Sequence, residues 1–214
     1  MAKLQLYTVG NKYITYLFNN VSKHVFTNKG EGDSARKYLG IVLSVNGYNY
    51  FAPLSSPKVS DYNIKDGNKV LRKSIIPIIR MTNKRADGSI EFLGTIKLGS
   101  MIPVPKSELN KYDVRNETDL QYQILIRKQL RFISRNNKMI NKNASVLYRQ
   151  KTSGKEGPGY INSTFDFKKF ENAHDSWIEE HTSESKTEEE QSPADKNPDS
   201  SPALQDLQLQ TSTE

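Results

Sequence analysis

The stretch Tyr38-Leu-Gly-Ile-Val-Leu-Ser-Val-Asn-Gly-Tyr-Asn-Tyr-Phe-Ala-Pro-Leu-Ser-Ser-Pro-Lys58 decides the fold. Two apolar runs flank Asn46-Gly47, the residue pair best suited to the positive φ angles of a two-residue type I′ hairpin turn. The stretch predicts an antiparallel strand pair whose second strand is stopped by Pro53. That strand delivers Ser55, Ser56, Pro57 and Lys58 onto a short, stiffened loop. Two hydroxyls and an ammonium beside a rigid sheet suit a phosphate rather than a metal or a thiol. Serine and proline also favour plain turns, which is the rival reading of the same four residues.

Working outward, Leu4, Leu6 and Thr8 alternate with Gln5, Tyr7 and Val9 as in a first strand. Asn11 suits a helix cap, and Tyr13, Ile14, Leu17, Phe18 and Val21 recur at helical spacing. Residues 22–37 and 58–73 are polar and read as loops. Ile75–Met81 and Ile90–Leu98 form a second strand pair about Asp87-Gly88, and Met101–Val104 reads as a short edge strand between prolines. From Leu120 the period changes to that of a helix, with Leu120, Ile124, Leu125, Ile126, Leu130 and Ile133 along one side. Asn136-Asn137 marks an expected break on the way to Leu147. Phe165, Phe167, Phe170, Ala173 and Trp177 suit a closing helix. Strands first and helices later predict an α+β fold with an antiparallel sheet.

Charge divides the chain. Of 31 basic and 24 acidic residues, positions 179–214 hold ten acids against Lys186 and Lys196, a net of −8. Residues 1–178 therefore carry +15, with 29 basic against 14 acidic residues. The C-terminal segment is poor in aromatic and β-branched residues and reads as a disordered acidic tail on one domain spanning 1–178. It invites two readings, a weak electrostatic competitor folded over the basic body or an inert solubilising appendage. A body at +15 implies a polyanionic partner.

Cysteine is absent, so disulfides, thiol nucleophiles and cysteine–metal sites are excluded. His24, His174 and His181 join no metal-ligand pattern, and no glycine cluster makes a phosphate-binding fingerprint. No metal or cofactor is expected. No apolar run approaches the roughly 20 residues of a bilayer span. The start lacks the charged-then-apolar layout of a signal peptide. The expected location is the cytoplasm, with no membrane partner. Without a helix-turn-helix pattern, DNA is not expected either.

Gly40-Ile-Val-Leu, Asn46-Gly47-Tyr48 and Phe51-Ala-Pro-Leu-Ser-Ser-Pro-Lys58 resemble the core signature of the ToxN/AbiQ toxins. These are the endoribonuclease halves of type III toxin–antitoxin systems, whose antitoxin is an RNA. Tyr7-Thr8 with Lys12-Tyr13-Ile14, Gly99-Ser-Met-Ile-Pro103 and Lys128-Gln-Leu-Arg-Phe-Ile133 agree in order, so the resemblance covers about residues 2–170. It implies a strongly curved, partly barrel-like sheet similar to that of the Kid and MazF toxins, with helices packed around it. It also implies metal-independent RNA cleavage by 2′-OH attack, giving 2′,3′-cyclic phosphate ends. Further implications are an mRNA substrate, abortive phage defence, and inhibition by pseudoknot repeats of an RNA antitoxin in a closed toxin–RNA assembly.

Residue by residue, the family's catalytic element falls on Ser55, Ser56 and Lys58. Ser56 is assigned orientation or relay, and Lys58 the phosphate clamp or the acid. The family's lysine before the first hairpin strand falls at Arg36, with Lys37 adjacent as a rival contact to RNA. The family's loop tyrosine has no counterpart, since Gly32 occupies that spacing; the proton-handling group is left open. Phe132 matches a phenylalanine near the family's active site, although a core role competes. Lys128, Arg131 and Arg135 offer a basic helix face to RNA, or to solvent. The alternative function is a non-catalytic RNA-binding protein with an SH3-like barrel.

Overall fold

The computed structural model describes residues 4–27, 35–154 and 157–190. Its strands are β1 (Gln5–Val9), β2 (Tyr38–Val45), β3 (Tyr48–Ser55), β4 (Tyr62–Lys65), β5 (Asn68–Leu71), β6 (Ile78–Lys84), β7 (Ile90–Lys97), β8 (Ile102–Pro103) and β9 (Leu109–Lys111). The helices are α1 (Asn11–Asn20), α2 (Leu120–Thr152) and α3 (Phe167–Glu190). Asn46 (φ 50°) and Gly47 (φ 85°) make the left-handed turn joining β2 to β3, as their chemistry requires. The main sheet is antiparallel, in the order β6-β7-β3-β2-β1-β9, with β8 added against β3. Its two end strands do not pair, so the sheet is open. The partly barrel-like sheet implied by the resemblance is, among the described residues, an open one.

Alternation along the strands assigns the two faces. Leu4, Leu6, Leu39, Val42, Tyr50, Ala52 and Leu54 face a core closed by Ile126, Ile133, Ile140, Ala144 and Leu147 of α2. Val9, Tyr38, Phe51 and Ile102 face a second core made with Tyr13, Ile14 and Leu17 of α1 and Phe170, Ala173 and Trp177 of α3. With both faces covered, β3 is buried continuously from Tyr50 to Ser55, which is why that stretch reads as an unbroken apolar run.

Pro53 does not stop β3. Tyr50 and Phe51 pair with β8, whereas Leu54 and Ser55 pair with β7. The residue without an N–H thus sits where the strand exchanges one neighbour for another. Residues 58–73 are not featureless either: β4 and β5 pair about Asp66-Gly67, with φ of 51° and 75°. No break occurs at Asn136-Asn137. Asn136 donates to the Phe132 carbonyl one turn back (2.8 Å), and the apolar stripe keeps α2 intact for 33 residues. Its start is capped by Asp119, whose carboxylate accepts from Tyr122 N–H at 3.1 Å. α1 begins at Asn11 itself, with Gly10 in the cap position.

α3 docks through Glu171. Its buried carboxylate accepts from Tyr50 (2.8 Å) and Tyr148 (2.7 Å) and pairs with Lys168 (2.7 Å), tying the sheet, α2 and α3 together. Burial, then Glu171, pushes the Tyr50 phenol well above its ordinary value. α3 runs on to Glu190, so the boundary set by composition at 178 falls within this helix. The remaining tail, 191–214, lies outside the described residues, as do positions 28–34 with Gly32. Among the described residues, no helix is long and apolar enough to cross a membrane.

Candidate active site

β3 ends in the interior and hands the chain to the loop. Ser55, buried and paired with Thr95 of β7, donates its hydroxyl to the Ser56 carbonyl at 3.3 Å. Ser56, Pro57 and Lys58 then emerge into solvent. The close approach of β7 to this point depends on Gly94, at φ 115°. A side chain there would collide with the Ser55 carbonyl oxygen. A register shift in the β6–β7 ladder accompanies it, with Met81 opposite Gly94 and Thr82 opposite Phe92.

Asp61 holds the loop's far end. Its carboxylate accepts from Lys58 N–H (3.0 Å), and its own N–H donates to the Lys58 carbonyl (3.0 Å). The other carboxylate oxygen lies 3.3 Å from Arg80 Nη2, with side-chain exposures of 11% and 7% for Asp61 and Arg80. Arg80 is itself fixed by Nη1 donating to the Lys73 carbonyl (2.8 Å) and by its backbone N–H donating to Ser74 Oγ (2.8 Å). A buried ion pair therefore fixes the backbone of Lys58 while leaving its ammonium in solvent.

Cations gather around this loop. Arg36 Nη1 donates to the Leu54 carbonyl at 2.9 Å, and its guanidinium lies over the Phe26 ring at 4.5 Å. Lys97, the last residue of β7, places its ammonium over the same ring at 5.1 Å. Burial lowers the Lys97 pKa, and repulsion from Lys58 and Arg36 adds to this, while Asp61 opposes it. Arg36, Lys58 and Lys97 thus share one electrostatic neighbourhood. Its acid, Asp61, is already engaged by Arg80. Such an excess of fixed positive charge favours an anion that arrives with its own hydrogen-bond acceptors. Phe26 also borders a groove of about 510 Å³ lined by His24, Ser100, Asn162, Asp166 and Lys169. A second hollow, about 310 Å³, runs along Pro57, Lys58, Tyr62 and Ile64.

The other candidates lie elsewhere. Lys37 is 3% exposed, with its ammonium over the Tyr112 ring at 4.3 Å, so its charge serves the interior. Lys128 is bound to Glu91 of β7 at 2.8 and 2.9 Å. Phe132 is half-buried and packs on the α2 core. Arg131 and Arg135 are exposed on α2, a helix with eight Lys and Arg residues and no Asp or Glu. Among the described residues, no three His, Asp or Glu side chains gather as metal ligands.

Lys97, Asp61 and Arg80 were not singled out from sequence. Lys97 closes a strand whose alternation reads only as core, and its place depends on pairing of β3 with a strand some 40 residues away. Asp61 and Arg80 come from segments without a shared motif.

An antiparallel sheet thus brings two serines and a cluster of cations to one strand end. The chain belongs to the ToxN family: the model of "Toxin ToxN, type III toxin-antitoxin system" matches residues 5–175. Endoribonuclease ToxN of Pectobacterium atrosepticum is 30% identical over 71% of this chain and 84% of its own length. Endoribonuclease AbiQ of Lactococcus lactis subsp. lactis is 32% identical over 78% of this chain and 86% of its own. Among solved structures, AbiQ, a lactococcal anti-phage endoribonuclease of the type III systems, aligns with a TM-score of 0.64 at 26% identity. That alignment covers 83% of this chain and 99% of AbiQ. A type III toxin inhibited by a non-coding RNA pseudoknot shares the fold, with a TM-score of 0.68 at 24% identity over 83% of this chain and 99% of its own.

Proposed function

We propose that this protein is an endoribonuclease toxin that cleaves RNA without a metal, through attack of a ribose 2′-OH on the adjacent phosphate. The observation that carries the reading is the cation cluster at the end of β3, where Arg36 and Lys97 cover one ring within electrostatic reach of Lys58. Cleavage by an internal nucleophile needs alignment and stabilisation of the phosphorane's extra negative charge, which positioned cations and hydroxyl donors supply. Lys58, exposed on a fixed backbone, is the phosphate clamp. Arg36, held by the Leu54 carbonyl, adds a second cation to the phosphate, and Ser56 offers a hydroxyl to a non-bridging oxygen. Ser55, committed to the Ser56 carbonyl, shapes the loop.

Family membership supports the rest of the reading. The partner is a folded RNA antitoxin that fills the basic surface and excludes substrate. The setting is the cytoplasm, and the role is anti-phage. A Kid- and MazF-like curvature of the open sheet belongs to the same proposal.

The test is incubation of the purified chain and its Lys58→Ala variant with a long mixed-sequence RNA in excess chelator, followed by mapping of product ends. Discrete cuts ending in 2′,3′-cyclic phosphate, lost in the variant, are expected. RNA bound but left whole, in a preparation free of copurified antitoxin, would leave only a binding protein.

A further inference from the structure

We propose that Lys97 is the general acid of this cleavage, delivering a proton to the departing 5′ oxygen; the assignment rests on the ribonuclease reading above.

Register places Lys97 first. Ser55 pairs with Thr95, and paired residues of neighbouring strands share a face; Lys97, level with Pro53 in the antiparallel ladder, stands on that same face. Its ammonium lies over Phe26, the ring that Arg36 also covers. Lys58 on the loop after β3, Arg36 before β2 and Asp61 on the turn after Lys58 are the charged groups that act on it.

The roles then separate by chemistry. Arg36 keeps its proton at any working pH and is bound to the Leu54 carbonyl, so it clamps but does not donate. Ser56 is too weak an acid to protonate an alkoxide by itself. Lys58 is out in solvent. Lys97 is half-buried, and burial together with two neighbouring cations favours its neutral form, which brings a lysine towards the pKa a proton donor needs.

The step balances. The 2′ hydroxyl loses its proton to water as the O2′–P bond forms. The P–O5′ bond breaks, and its electron pair goes to O5′. O5′ takes a proton from the Lys97 ammonium, and the neutral amine is reprotonated from solvent. Nothing is oxidised or reduced.

The experiment compares the full chain with Lys97→Met and Lys97→Arg on two RNAs with one scissile linkage each. One RNA carries the ordinary 5′ oxygen; the other carries a 5′-bridging sulfur, whose thiolate leaves without a proton. Loss of a general acid slows the oxygen substrate about 10²- to 10⁴-fold. The sulfur substrate is expected to stay within about tenfold of wild type. The alkaline limb of the wild-type pH profile should vanish in Lys97→Met. Lys58→Ala, which removes a clamp, should slow both substrates alike. Lys97→Arg, which keeps the charge, should bind an all-2′-deoxy analogue with wild-type affinity yet cut the oxygen substrate poorly, so misfolding is not the cause.

Equal slowing of both substrates by Lys97→Met would make Lys97 a clamp and overturn the assignment, as would no slowing at all. Selective slowing of the oxygen substrate by His24→Ala instead would transfer the role to the neighbouring groove. A wild-type chain that cuts neither substrate would overturn the ribonuclease reading itself, together with this one.

Discussion

Replacing Asp61 by alanine should damage both stability and turnover, and the size of each effect follows from the geometry. Asp61 sits 3.3 Å from Arg80 with both side chains nearly out of solvent. At an effective dielectric constant near 20, such a contact carries a gross attraction of about 5 kcal/mol. The net effect of deleting one partner is set by the charge left behind, and buried pairs broken this way lose about 3–5 kcal/mol. The hydrogen bond from Lys58 N–H to this carboxylate, about 1.5–3 kcal/mol for a charged acceptor, is part of that loss and not an addition to it. For a chain of this size, the melting temperature should fall by about 6–20 °C. Urea titration followed by the fluorescence of Trp177, the one tryptophan and a buried residue, reads the change directly.

The Arg80→Met partner variant supplies the decisive comparison. In the double variant no charge is stranded, so most of the lost stability should return. Cleavage should not return with it, because the Lys58 backbone has lost its acceptor; a displacement of about 1 Å at such a site costs about 100-fold. A loss below 1 kcal/mol for Asp61→Ala would refute this reasoning, as would a double variant no more stable than the single one.

Four further outcomes are expected. In RNA-binding titrations against salt, Arg131→Ala and Arg135→Ala should each lower the log–log slope by about 0.7, while Lys128→Ala, whose charge Glu91 already neutralises, should lower it far less; equal effects would place Lys128 on the RNA. Gly94→Ala should cost about 1–3 kcal/mol and impair cleavage, since it combines a left-handed φ with a collision at the Ser55 carbonyl. Gly88→Ala, at φ 82° in open space, should lose stability only and keep full turnover. Glu91 is held below the usual carboxylate range, chiefly by its hydrogen bond from Lys128. With the folded value depressed, its contribution is complete above the unfolded pKa of about 4.3 and lost as pH falls through the folded value. Urea midpoints measured from pH 6 down to pH 3 should therefore decline less steeply for Glu91→Gln than for wild type.

What could be read in the chain itself were the features that local chemistry settles. Asn46-Gly47 fixes a turn whatever surrounds it, because few residue pairs accept two positive φ angles in succession. The apolar period of α2 fixes a helix, and it outweighs Asn136-Asn137, which together cost a helix about 1 kcal/mol. The charge asymmetry and the Ser-Ser-Pro-Lys element were likewise visible without coordinates.

Other features were visible but weak. Asp66-Gly67 carries the same turn signal as Asn46-Gly47. The strands it joins are four residues each and largely exposed, so no alternation announces them. Pro53 reads as a strand terminator because its tolerance depends on which neighbour lies alongside. Only the exchange of β8 for β7 along β3 makes that position free of a ladder donor.

The sequence by itself determined the hairpin, the long helix and the loop that presents Ser56 and Lys58, because each rests on dihedral preference or periodicity among near neighbours. Only the tertiary structure decided that Arg36 rather than Lys37 turns towards that loop, that Asp61 and Arg80 fix it, and that Lys97 stands beside it. Those placements depend on which strands pair and in what register. A shift of one residue in either ladder would send the same side chains to the opposite face of the sheet.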